Sequence, residues 1–161
     1  MDRIPYLTAT SVLILLDRLT KWWAGSSLTY GHPQPLIGQA IRLTRVHNVG
    51  GAFGLFPGSG ILLLVVSAVV SVVLIFLLAT RRVHGLWTRL GVSVVLAGAI
   101  GNLIDRLMYG FVLDFFEIRG FPVFNLADAC ITVGAALIII TMLFGGGRDR
   151  SEREANRLRG D

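Results

Sequence analysis

Residues 61–79 read ILLLVVSAVVSVVLIFLLA, nineteen positions without a charge. The uncharged interval is wider still, since no Asp, Glu, Lys or Arg occurs between Arg45 and Arg81. A helix needs roughly 20 apolar residues to cross a bilayer's hydrocarbon core, so this stretch predicts a transmembrane helix over 59–80. Working outward, three more apolar stretches reach spanning length, at about 4–24, 86–107 and 126–144. The first carries Asp17, Arg18 and Lys21 late in its run, and the third packs Asn102, Asp105 and Arg106 into its far end. Both can cross only if those polar groups lie near an interface or inside a bundle. Composition agrees: 53% of residues are apolar and 16% charged, against about 25% charged in a globular chain. That balance excludes a disordered chain and a collagen, and the single cysteine, Cys130, excludes a disulfide scaffold. The expected fold class is a mainly α membrane protein, a bundle of four transmembrane helices that satisfy their own backbone hydrogen bonds.

Arginines set the expected orientation. With four spans, the N-terminus, the 81–89 loop and the tail share one side and hold nine arginines, against Arg42, Arg45 and Arg119 opposite. The basic excess marks the cytoplasmic side, so both termini are placed there and the net charge of +5 is read as topology, with no nucleic-acid partner. A cleavable signal over 1–24, with Ala24 as the cleavage site, is the rival reading of the first span. Asp17, Arg18 and Lys21 beyond its apolar core favour a retained helix. Residues 25–58, punctuated by Gly and Pro and with a β-like patch at 40–46, read as a small extracytoplasmic sheet. Residues 108–123 suit an interfacial turn or short helix. Residues 1–144 form one integral membrane domain, and 145–161 a charged cytoplasmic tail, solvated and mobile.

Ionisable groups in a membrane are costly and usually face the bundle interior, so each is a functional candidate. In the expected topology Asp17 and Lys21, Asn102, Asp105 and Arg106, Asp114, and Asp128 arrive from four segments at the outer face. Each has a bland alternative. Asp17 and Lys21 stand at ion-pair spacing on one helix face, and Asn102 with Arg106 suits polar glue between helices. Asn48 fits a turn before the second span. Asn125 and Asp128 resemble a capping pair at a helix start, and Asp114 fits a solvated interfacial acid. Cys130 is packing, with no base at hand, and Gly98 and Gly101 allow close helix approach. No metal-ligand cluster and no phosphate-binding glycine loop is present. Two carboxylates forced together in a desolvated site do not both ionise readily. The charged one can take a proton from water while the neutral one donates to a carbonyl oxygen, which hydrolyses a peptide bond without a covalent intermediate.

Five segments occur in order: Asp17-Arg18-Leu19-Thr20-Lys21, Asn48-Val49-Gly50-Gly51-Ala52-Phe53, Gly101-Asn102-Leu103-Ile104-Asp105-Arg106, Gly110-Phe111-Val112-Leu113-Asp114-Phe115 and Phe124-Asn125-Leu126-Ala127-Asp128. Together they resemble the bacterial lipoprotein signal peptidases, or signal peptidase II, over about residues 8–144. The resemblance implies an intramembrane aspartic endopeptidase with Asp114 and Asp128 as its catalytic dyad. Asn48, Asn102, Arg106 and Asn125 match positions that line the site and hold substrate or dyad. Asp17, Lys21, Gly101 and Asp105 match supporting positions. It further implies cleavage of prolipoproteins before a diacylglyceryl-modified cysteine, with no cofactor or metal, in the bacterial inner membrane. Inhibition by globomycin follows, as does an active site on the extracytoplasmic side of a monomer. Residues 25–58 become a β-cradle and 108–123 a flap, with Phe53, Phe115 and Phe116 limiting water. A proton- or ion-coupled transporter and a non-catalytic membrane scaffold are the rival classes. A transporter requires sites near the midplane; a scaffold requires that Asp114 and Asp128 be dispensable.

Overall fold

The computed structural model describes residues 4–50 and 60–158, with side chains described for 5–50 and 60–144; Phe53 lies outside the described residues. Four helices, α1 (Ile4–Ser27), α2 (Gly60–Ala79), α3 (Leu86–Tyr109) and α4 (Leu126–Leu158), accompany a sheet of β1 (Gln34–Ile37), β2 (Ile41–Asn48) and β3 (Val112–Ile118). The helices α2 and α3 and the Leu126–Phe144 part of α4 are long and apolar enough to cross a membrane. α1 has the length but carries Asp17, Arg18 and Lys21. α4 runs on past the span candidate, without a break at 144, to Leu158. Its Arg, Glu, Ala and Leu are good helix formers.

α3 is the central helix and packs against the other three. Its approach to α4 is close because glycines face each other there. A Cβ on Gly91 would lie 2.9 Å from the Gly134 carbonyl oxygen, and one on Gly98 would overlap the Ala127 carbonyl oxygen. Small residues of this kind are what let helix backbones meet in lipid. α2, by contrast, buries only Ser71. Propensity and packing make opposite predictions for Gly98→Ala. Helix propensity alone favours alanine by about 1 kcal/mol, whereas overpacking costs about 1–3 kcal/mol. The overlap is with backbone, which does not swing aside, so packing wins. Thermal unfolding in detergent should show Gly98→Ala lowering Tm; an increase would mean that α3 and α4 part easily.

Residues 108–123 are not an interfacial helix, since Val112–Ile118 form β3. α3 ends at Gly110, whose φ of 76° suits glycine and whose N–H donates to the Arg106 carbonyl at 3.1 Å. The chain then turns directly into an aromatic and β-branched run that pairs with β2. The sheet order is β1-β2-β3, antiparallel throughout. Leu43 faces Phe116, but Val46 faces Asp114, so β2 spends one residue more than β3 over that interval. Such a bulge changes which side chains share a face. Without it Arg45 and His47 would stand on the Asp114 face; with it, Val46 and Asn48 do.

The structure also relocates two aromatic side chains. Phe115 alternates away from Asp114 and packs, 7% exposed, with Ala24 and Leu28 of the α1 end. Phe116 stacks edge-on against Phe124 at 5.2 Å. Neither side chain lines the cavity described below, although Phe124, the partner of Phe116, does. Strand alternation turns Phe115 to the opposite face.

Candidate active site

Lys21 is the natural starting point because it is 4% exposed and uses all three of its N–H donors. They reach Asp17 Oδ2 at 3.1 Å, Asp105 Oδ2 at 2.9 Å and Asn102 Oδ1 at 3.0 Å. Arg18 completes the cluster, at 2.7 Å from Asp105 Oδ1 and 2.8 Å from Asp17 Oδ2. Two acids and two bases thus neutralise one another between α1 and α3. Gly101 is needed beside them, since a Cβ there would lie 2.7 Å from Asp17 Oδ2.

The second oxygen of Asp17 and a shared oxygen of Asp105 hold backbone. Asp17 Oδ1 accepts from Ala127 N at 3.0 Å, and Asp105 Oδ2 from Leu113 N at 3.2 Å. Ala127 and Leu113 are the residues immediately before Asp128 and Asp114. The ion cluster therefore fixes the chain one residue upstream of each candidate catalytic acid.

Asn102 passes that order on. Its Oδ1 accepts from both Lys21 and Asn125 Nδ2, the latter at 3.2 Å. The amide must then present its Nδ2 to Asp128 Oδ1, 2.7 Å away. Asn125 joins the two acids: its Nδ2 also donates to Asp114 Oδ1 at 2.6 Å. Its Oδ1 accepts from Asp128 N at 3.0 Å, while Asp128 Oδ2 accepts from Asn125 N at 3.3 Å. The last two bonds make a capping box in which Asn125 caps α4 and Asp128 reaches back to it, so Asp128 serves the helix start and the polar network together. Asn48 ends β2 and opens the turn after it, its Oδ1 accepting from Gly50 N at 3.1 Å, and the bulge lets its Nδ2 donate to Asp114 Oδ2 at 2.8 Å.

Asp114 is 1% exposed. Burial first, and then the neighbouring Asp128 charge, push its carboxyl up to about 7, against the opposing hydrogen bonds from Asn48 and Asn125. A folded-state value above the ordinary 3.8 means that the native chain holds a proton the unfolded one has released. This contribution to stability is present at low pH and is lost as pH rises from about 4 to about 7.

Asp128 opens onto a cavity of about 470 Å³ between α2, α3, α4 and the segment after β3. Asn48, Asn102 and Arg106 share that lining with apolar Val66, Val95 and Ile131. Arg106 makes no hydrogen bond to either acid; its Nη1 donates to Ser67 Oγ of α2 at 3.2 Å. The structure thus brings Asn48, Asn102, Asn125, Asp114 and Asp128 into one bonded network, with Asp17, Lys21, Gly101 and Asp105 behind it and Arg106 across the cavity. Sequence reasoning assigned no site role to Arg18, Ser67, Phe121 or Phe124. Arg18 was recoverable as the second cation needed by two buried acids. Phe124 stands in the fifth of the quoted segments but has no chemistry of its own to single it out, and Phe121 carries no sequence signal, yet both line the cavity.

The comparisons with known proteins point one way. The family model described as "Signal peptidase (SPase) II" matches residues 9–144. The lipoprotein signal peptidase of Shouchella clausii (strain KSM-K16) is 37% identical over 155 residues, covering 96% of this chain and 100% of that one. That of Clostridioides difficile (strain 630) is 37% identical over 147 residues, covering 90% and 99%. A bacterial membrane enzyme solved by the in meso method at 2.3 Å superposes with a TM-score of 0.80 at 27% identity, over 86% of this chain and 87% of that one. With the family match spanning all four helices and the sheet, this multi-pass membrane protein belongs to the signal peptidase II family.

Proposed function

We propose that the chain removes signal peptides from prolipoproteins as an intramembrane aspartic endopeptidase, cutting before a diacylglyceryl-modified cysteine. The observation that carries this reading is two acids of different exposure joined through Asn125, one buried and proton-holding, the other open to an apolar cavity. Asp128 draws a proton from a water in the cavity as that water attacks the scissile carbonyl. Asp114 supplies its proton to the carbonyl oxygen; as the tetrahedral intermediate collapses, Asp128 passes the proton it took from water to the leaving nitrogen and a diol hydroxyl returns a proton to Asp114, so the C–N bond breaks, the amine departs and both acids regain their starting forms. Asn48, Asn102 and Asn125 hold the carboxylates and the substrate backbone, and Arg106 serves the substrate from the cavity wall. The catalyst uses no metal or cofactor, acts as a monomer and is blocked by globomycin.

Four spans are part of this reading. α1 has 24 residues and is therefore about 36 Å long, enough to cross. Asp17 and Lys21 face the bundle, while Leu7, Val12, Leu15, Leu16 and Leu19 remain exposed as a lipid-facing side. Trp22 and Trp23 near its end and Tyr109 at the end of α3 mark one membrane interface, and Trp87 the other. The arginine bias puts the sheet and the dyad on the extracytoplasmic side and both termini in the cytoplasm, so an acyl-anchored substrate reaches the cavity by lateral diffusion.

The test is cleavage of a prolipoprotein with and without its diacylglyceryl group by the purified chain in detergent, followed by gel shift and product mass. Cleavage directly before the modified cysteine, sensitive to globomycin, is expected; equal cleavage of the unmodified form would remove the lipid from the account. The raised Asp114 carboxyl adds a second expectation. The reactive form needs its proton, so kcat/KM should fall as pH rises through about 7. A rate that climbs steadily from pH 6 to 9 would contradict Asp114 as the acid.

A further inference from the structure

On the far side of the ion cluster from the dyad lies a second cavity, of about 560 Å³, between the ends of α1 and α3 and the start of β3. The proposed reaction does not use it. Its lining holds three cations, Arg18, Lys21 and Arg45, and one acid, Asp105. Arg18 and Lys21 are offset by Asp17 and Asp105, which leaves Arg45 as the surplus charge. Arg45 comes from the β2 bulge, and its Nη1 donates to the Gly25 carbonyl at 2.7 Å. Among the described residues it forms no ion pair. The Nε–H groups of both Arg18 and Arg45 are buried without an acceptor. A buried N–H without a partner is costly, and two of them beside one cavity ask for an acceptor with several oxygens. At the rim, Trp22, Met108 and Tyr109 are exposed, Trp22 to 74%, in the amphipathic manner of residues at headgroup level.

We propose that this cavity binds an anionic phospholipid of the leaflet at the sheet end of the bundle. The phosphodiester oxygens accept from Arg45 and Arg18, and Trp22 and Tyr109 flank the glycerol and the first part of the acyl chains. Because Arg45 belongs to the sheet and Arg18 to α1, the lipid ties the sheet to the bundle.

The full chain in a neutral detergent would be unfolded thermally with phosphatidylglycerol, with phosphatidylcholine of the same acyl chains, or with inorganic phosphate. No substrate is present, so the peptidase reading stands or falls separately. At a hundredfold excess over Kd, phosphatidylglycerol should raise Tm by about 5–10 °C, and the other two additives should not. Arg45→Gln should abolish the shift. Since that variant also loses the Gly25 bond, Trp22→Glu, which places a negative charge at the rim and touches no hydrogen bond of the cluster, should abolish it independently. Equal shifts with both lipids, a full shift with phosphate alone, or an undiminished shift in Trp22→Glu would each overturn the proposal.

Discussion

Lys21→Met, a substitution that keeps an unbranched side chain one atom shorter and deletes its charge, should destabilise the chain by about 3–5 kcal/mol, the range for removing one partner from a buried ion pair. The effect is large because Lys21 serves two acids at once, Asp17 at 3.1 Å and Asp105 at 2.9 Å, both 1% exposed. Arg18 remains but is itself held by the same two carboxylates. The damage should also reach the chemistry. Without Lys21, Asn102 Oδ1 loses its charged donor, and only the 3.2 Å bond from Asn125 Nδ2 is left to keep the amide offering Nδ2 to Asp128. Thermal unfolding and the cleavage assay together separate the two effects. A folded Lys21→Met chain at low temperature should still cleave poorly, and Lys21→Arg should restore stability more than activity. Wild-type cleavage by a folded Lys21→Met chain would show that Asn102 needs no such orientation.

Asp114→Asn and Asp128→Asn should each reduce kcat by about 10²–10⁴-fold, the span attributed to a positioned acid or base. Neither should prevent folding. Asparagine matches aspartate in shape, and at 128 its Oδ1 can still accept the capping bond from Asn125 N. The two losses arise differently. Asn at 114 retains acceptor capacity toward Asn48 or Asn125 but has no proton of carboxylic acidity to give. Asn at 128 has no basic oxygen to take one from water. Circular dichroism of each variant in detergent checks the fold, and a rate within threefold of wild type for either would remove that residue from the catalytic pair.

How much of this was legible in the sequence depended on how local each signal is. α2 announces itself because every one of its residues is apolar or small, and composition alone is enough. The spacing of Asp17 and Lys21 suggested a pair, and the structure has that pair. Their closure onto Asp105 was hidden, because it depends on how α1 crosses α3 at Gly101. The strand at 112–118 was missed for a related reason. Val-Leu-Asp-Phe-Phe-Glu-Ile breaks strict alternation, and its strand state depends on β2, about 70 residues earlier in the chain. The bulge at Thr44 and Arg45 has no local signature, so the turn contact of Asn48 with Gly50 is legible in the sequence while its reach to Asp114, which the register sets, is not. The capping contact of Asp128 is present and leaves its second oxygen free for the polar network: one oxygen receives the Asn125 backbone and the other the Asn102 side chain.

The central claim is that Asp114 and Asp128 act on one water as a unit. It is tested most directly by kcat/KM on a diacylglyceryl prolipoprotein for wild type, the two Asn variants and the Asp114→Asn/Asp128→Asn double variant, each verified as folded. Residues acting as a unit give grossly non-additive losses, so the double variant should be no slower than the slower single variant. Losses that multiply in the double variant would contradict the claim.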